Sequence, residues 1–181
     1  RKVGLLYDAR MERHQHTEKH DECPERIQHI FNFLSCIEME NVETSGENLK
    51  ERCIVIQGVE ASREDLVLAH GATHCDFVDS LKSADVRSDV LRELDESSIF
   101  ANKHTPEAAR VSAGSVVAMT EAVVSGKVQS GFAIVRPPGH HAEANACHGY
   151  CFYNNVAVAA KAAQQRMGIE RVLIVDWDIH H

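Results

Sequence analysis

No apolar run in this sequence approaches the ~18 residues that a membrane-spanning helix needs. The N-terminus also lacks the charged, apolar, small-residue succession of a secretory signal. A start at Arg1 rather than Met reads as a piece cut from a longer chain. Basic clusters are missing: 19 Lys and Arg stand against 27 Asp and Glu, and the net charge of −8 argues against a nucleic-acid surface. The six cysteines include no CxxC pair. Cys36 in a helical pattern and Cys53 in an apolar run read as buried thiols of a reducing compartment. There are no repeats, low-complexity tracts or linkers, so 181 residues read as a single domain, 1–181, with a substantial core.

What the sequence has in quantity is histidine. Twelve are present, and the side chain both binds metals and titrates near neutrality. Their grouping is uneven, and the densest groups lie near the end of the chain.

Val3 to Tyr7 reads as a buried strand ending at Asp8. The polar stretch that follows has no periodicity and reads as a loop, with His14, His16 and His20 as solvated residues. Pro24 suits the first turn of a helix, whose apolar face is Ile27, Ile30, Phe31, Leu34 and Ile37. Asn41 to Lys50 is a loop before a short strand, Cys53 to Ile56. Ser62 with Asp65, and Thr73 with Asp76, resemble capping arrangements and place short helices near 63–69 and 74–82. His70 and His74 flank Gly71 and read as structural. A weak helical run surrounds Val90 to Leu94. Thr105–Pro106 starts a helix rich in Ala and Val, and Gly126 stops it. Its small residues, Ser112, Ala113 and Gly114, would let it approach a sheet closely. Strands alternating with helices predict an α/β fold: an open, mostly parallel sheet with helices on both faces.

In such a sheet, ligands bind beyond the carboxyl ends of the strands. Two expected strands, Phe132 to Val135 and Val172 to Val175, each run into a knot of polar residues. About 35–40 residues separate the knots, roughly one strand–helix–strand unit, with the helix at Val156 to Met167 and its stop at Gly168. In the second knot an extended backbone would put Asp176, Asp178 and His180 on one face and Trp177 and Ile179 on the other. Aspartate with histidine is a donor set that zinc accepts. In the first knot, Pro137 and Pro138 stiffen the approach and Gly139 permits an unusual turn before His140 and His141. Consecutive histidines suit two rigidly held proton-transfer groups better than two ligands, and Asp176 is a candidate to orient one of them. Gly149 and Tyr150 would suit the wall of a narrow channel.

RPPGHHAE, GYCFYNNVAVAA and VLIVDWDIHH resemble the catalytic domain of zinc-dependent histone deacetylases of the class II type. RKVGLLYD, CPERI and SIFANKHTPEAARVSAGSVV extend the likeness over the whole chain, especially to plant members. The resemblance implies an arginase-like α/β fold and zinc-dependent hydrolysis of N-acetyl-lysine on histones or other proteins. It implies zinc ligands at Asp178 and His180, tandem catalytic histidines at His140 and His141, and Asp176 behind His140. It further implies a K+ site involving Asp176, and a substrate channel lined by Gly149 and Tyr150. A corepressor complex, chromatin repression and a nuclear or cytoplasmic location follow from the same likeness, with no nucleic-acid or membrane partner. Tyr150 stands where many members have Phe, and Asp21 replaces a common proline. In the family a third aspartate ligand and a tyrosine lie beyond His181, so the 181 residues read as an incomplete half of the catalytic domain, inactive alone. Two other readings remain: a dead interaction module of the same fold, and an acetylpolyamine amidohydrolase.

Overall fold

Alternation along a four-residue strand lays out the two faces of the sheet. In the computed structural model, which describes residues 2–36, 48–83, 94 and 98–180, Val3–Leu6 forms the central strand β1. Successive side chains of a strand point to opposite faces. Leu5 accordingly enters a cluster with Met11, Ile27 and Ile134, while Leu6 enters another with Ile56, Met119 and Val128. β2 (Cys53–Val55) and β3 (Ser130–Ala133) flank β1 in the order β2-β1-β3, and both pairings are parallel.

Helices cover both faces. α1 (Pro24–Leu34) has Pro24 in its first turn, where a missing N–H costs no hydrogen bond, and buries Ile27 beneath Leu5. α2 (Arg63–Leu66) is capped by Ser62, whose hydroxyl accepts from the Asp65 N–H at 3.0 Å. α3 (Ala72–Ser80) starts after Gly71 and not at the expected Thr73 cap. α4 (Thr105–Val124) is the longest element; its Met119 lies against Gly4 and Gly131 on the opposite face of the sheet from α1. A Cβ on Gly114 of α4 would fall 2.3 Å from Ala61 N and Val59 O, so the small-residue run is there for close packing. α5 (Asn155–Arg166) lies along α4, with Val158, Ala159 and Ala162 in the largest buried cluster. The observed α/β architecture is the expected one.

Further expectations change, and β3 itself begins two residues before the expected Phe132. Val172 to Val175 is not a strand: no ladder bond joins it to β3, and Leu173 is 87% exposed. An apolar run becomes a strand only where a neighbour pairs with it and a layer covers it, and here its side chains meet water. The 8–23 segment is not all loop, because Asp8 caps a 3-10 turn at Ala9–Arg13 through the Arg10 N–H at 2.9 Å. His14 is fully buried instead of solvated. Cys36 and Cys53 are half-buried, while Cys75, Cys147 and Cys151 are buried. Ile37, most of the 41–50 loop, the Val90 to Leu94 run apart from Leu94, and His181 lie outside the described residues.

Candidate active site

β3 delivers the chain into a buried anchor before the tandem histidines appear. Ile134 N–H donates to Leu6 O at 2.9 Å, continuing the alignment beyond the strand. Arg136 then turns fully into the interior, where its guanidinium meets Glu22 and donates at 2.9 Å to Met11 O. The Pro137 carbonyl accepts from Ser112 Oγ at 2.9 Å and from Asn155 Nδ2 at 3.2 Å, and Asn155 Nδ2 also donates to Ser112 Oγ at 2.8 Å. Buried polar groups hold a geometry firmly when every member is paired. Gly139 is needed for close approach: a Cβ there would lie 2.6 Å from Asn155 N and 2.7 Å from Tyr153 O.

The loop's far limb is held by α3 and the turn before it. His70 Nε2 accepts from Asn154 N–H at 2.9 Å, so its Nδ1 carries the proton and donates to Glu143 O at 2.9 Å. His74 Nε2 contacts Phe152 O at 2.8 Å as a donor. Burial pushes the His70 pKa down, in keeping with a neutral ring. Both histidines are structural, as their position suggested.

His140 and His141 emerge with ring centroids 4.0 Å apart. His140 Nδ1 lies 2.9 Å from Asp176 Oδ2, so the two polar knots do meet although the second is not part of the sheet. Asp176 is turned by its own backbone: its Oδ1 accepts the Asp178 N–H at 3.0 Å, and that bond, with the His140 contact second, lowers its pKa. Asp178 repeats the device two residues on. Its Oδ1 accepts the His180 N–H at 2.8 Å and lies 2.8 Å from His180 Nδ1, and both contacts lower its pKa. Aspartate side chains closing onto the backbone two residues ahead are a local turn chemistry. They replace the strand alternation expected for 176, 178 and 180, and still gather those groups on the His140 side. Trp177 and Ile179, at 90% and 89%, face solvent.

His141 has a lowered pKa, first because it loses hydration and next because His140 is beside it. A ring neutral near pH 7 can accept a proton. Gly149 sits against that ring: a Cβ on it would be 2.4 Å from His141 Cδ2, and its φ of +48° is one glycine tolerates. Tyr150 follows at φ +66° and presents its ring 5.1 Å from His20. Asp178 Oδ1 and His180 Nδ1 converge and are of the oxygen and nitrogen types that zinc binds, so they fit as two donors of a catalytic site, which takes three. Among the described residues no group of three His, Cys, Asp or Glu could hold a metal ion.

Sequence reasoning missed Arg136, Glu22, Ser112 and Asn155. A lone glutamate in a polar loop has no local partner to betray it. Arg136 had one signal, a charged residue wedged between an apolar strand and two prolines.

The histone deacetylase domain family model matches residues 20–181. Histone deacetylase 5 of Arabidopsis thaliana is 42% identical over 189 aligned residues, covering all of this chain and 27% of that protein. Polyamine deacetylase HDAC10 of Mus musculus is 37% identical over 160 residues, covering 88% of this chain and 22% of that protein. The crystal structure of the HDA15 HD domain superposes with a TM-score of 0.82 at 33% identity, covering all of this chain and 48% of that one. The chain thus spans about a quarter of the length of the curated relatives it matches.

Proposed function

The chain belongs to the histone deacetylase family, and from that premise we propose that it carries the acid–base half of a zinc-dependent site hydrolysing N-acetyl-lysine. The observation that carries the reading is the meeting of His140 with Asp176 at 2.9 Å, with His141 alongside and Asp178 and His180 converging behind. Asp178 and His180 would hold the metal. When bound, zinc supplies Lewis acidity toward the amide carbonyl and toward water. His141 takes the proton of the attacking water and returns it to the lysine amine as acetate departs. Asp176 accepts from His140 Nδ1–H, which fixes that ring's orientation and tautomer and gives His140 an orienting and electrostatic role. Gly149 and Tyr150 line the approach for the acetyl-lysine side chain. Asp176 is also the candidate contact for a K+ ion. Acetylated histones or other proteins are the proposed substrates, in the nucleus or cytoplasm, with chromatin repression through a corepressor complex as the setting.

The likeness to a polyamine deacetylase favours one second reading, an acetylated polyamine as substrate. Turnover of an acetyl-lysine peptide and of an acetylpolyamine by the full-length zinc-loaded protein separates the two. Faster peptide hydrolysis supports the first reading; polyamine preference overturns it, and zinc retention with neither activity points to an interaction module.

A further inference from the structure

A buried polar junction joins two segments more than a hundred residues apart and touches neither metal donor. Arg136 is 0% exposed and Glu22 is 5% exposed at the side chain. Arg136 Nε donates to Glu22 Oε1 at 3.0 Å and Nη2 to Oε2 at 2.5 Å, a two-pronged pairing that fixes both groups in direction as well as distance. The remaining nitrogen, Nη1, donates to the carbonyls of Met11 and His14. One guanidinium therefore ties the side chain and the backbone of the 11–22 segment to the residue four places before His140. From the same glutamate, the backbone N–H donates to His20 Nδ1 at 3.0 Å, and the His20 ring meets Tyr150 edge-on.

Resting on the deacetylase reading, we propose that Glu22 and Arg136 are positioning residues for catalysis: they lock the rim of the site and the root of the histidine loop into one body. A buried ion pair is weak as a source of stability, since desolvation offsets its attraction. Its two-pronged geometry is instead suited to fixing where the loop starts. Proton-transfer groups misplaced by about 1 Å can lose on the order of 100-fold in rate.

The test uses the full-length zinc-loaded protein and an acetyl-lysine peptide, with Glu22→Gln, Arg136→Lys and the double variant. Arg136→Lys keeps the buried charge but cannot reach Glu22 and both carbonyls together. Each single variant should lower kcat on the order of 10- to 100-fold per folded, zinc-loaded molecule, with KM within about threefold. The double variant should fall no further than the worse single one, because both break the same junction. A lower Tm with unchanged kcat, or losses that multiply, would overturn the proposal. Hydrogen exchange on the unsubstituted protein checks the same claim without relying on variants that fold: amides of 11–14 and of 139–141 should open together, and independent opening would overturn it. An inactive parent protein would instead overturn the deacetylase reading, while the exchange result would still judge the lock.

Discussion

The two polar knots reach the same place by opposite means. The 136–154 loop is anchored from the interior, by Arg136 on Glu22, by Ser112 and Asn155 on the Pro137 carbonyl, and by His70 and His74 on its far limb. Among the described residues the 171–180 segment has no strand partner, and Leu173, Trp177 and Ile179 stand in water. Its order near the site comes from Asp176 and Asp178 folding back on their own backbone and from the contact with His140. Catalytic geometry in the first knot is a property of the core; in the second it is local and rests on a few exposed polar bonds. Exposed polar contacts add little net stability, so within these 181 residues the second knot is the softer half.

That contrast can be broken most severely at the chemistry. His141→Ala in the full-length protein should lower kcat on the order of 100- to 10,000-fold, the usual worth of a general base, while zinc content stays near that of the parent. Lost zinc would show a ligand mistaken for a base. Next comes the anchor. Asn155→Ala leaves Ser112 and the Pro137 carbonyl short of a partner in the interior and should cost about 1–3 kcal/mol in denaturant unfolding; a change under half of that would mean the loop is not held from within.

The pH dependence of stability sharpens the same point from His14. Burial lowers its pKa from 6.5 to about 3. Glu22 lies 3.8 Å from its Nε2, but that carboxylate is committed to Arg136 and does not keep the ring charged. The unfolded chain binds the proton below pH 6.5 and the folded one does not until about pH 3, so stability falls as pH drops through that window. The slope from this one group is up to about 1.4 kcal/mol per pH unit, and His14→Gln should flatten it. The smallest effect belongs to the exposed segment: in the 181-residue chain, Trp177→Ala should change stability by less than about 0.5 kcal/mol. A loss of several times that would mean the segment is packed in solution.

Much of this was legible in the sequence because it rests on local rules. Pro24 and Thr105–Pro106 start helices where prolines fit, Ser62 caps α2, and the apolar runs at Val3 and Phe132 end up in the sheet, the second strand starting two residues earlier than expected. The residues proposed to hold zinc and move protons were singled out by chemical type, spacing and family resemblance, and the structure brings His140, His141, Asp176, Asp178 and His180 together. What failed were statements that depend on the third dimension. VLIV reads as a strand by composition, yet strand formation needs a partner. His14 sits in a polar stretch, yet Phe100 stacks on it at 4.4 Å and Thr105 Oγ1 meets its Nδ1 at 2.8 Å from across the fold. Arg136 and Glu22 are 114 positions apart, and nothing local links them.

We propose that the buried loop supplies proton transfer while the exposed segment supplies metal donors to one hydrolytic site. It is tested most directly by measuring bound zinc and acetyl-lysine peptide turnover together in the full-length protein and in its Asp178→Ala variant. The parent should carry about one zinc per chain and turn over the peptide, with zinc and activity falling together in the variant. A variant that keeps both its zinc and its activity would contradict it.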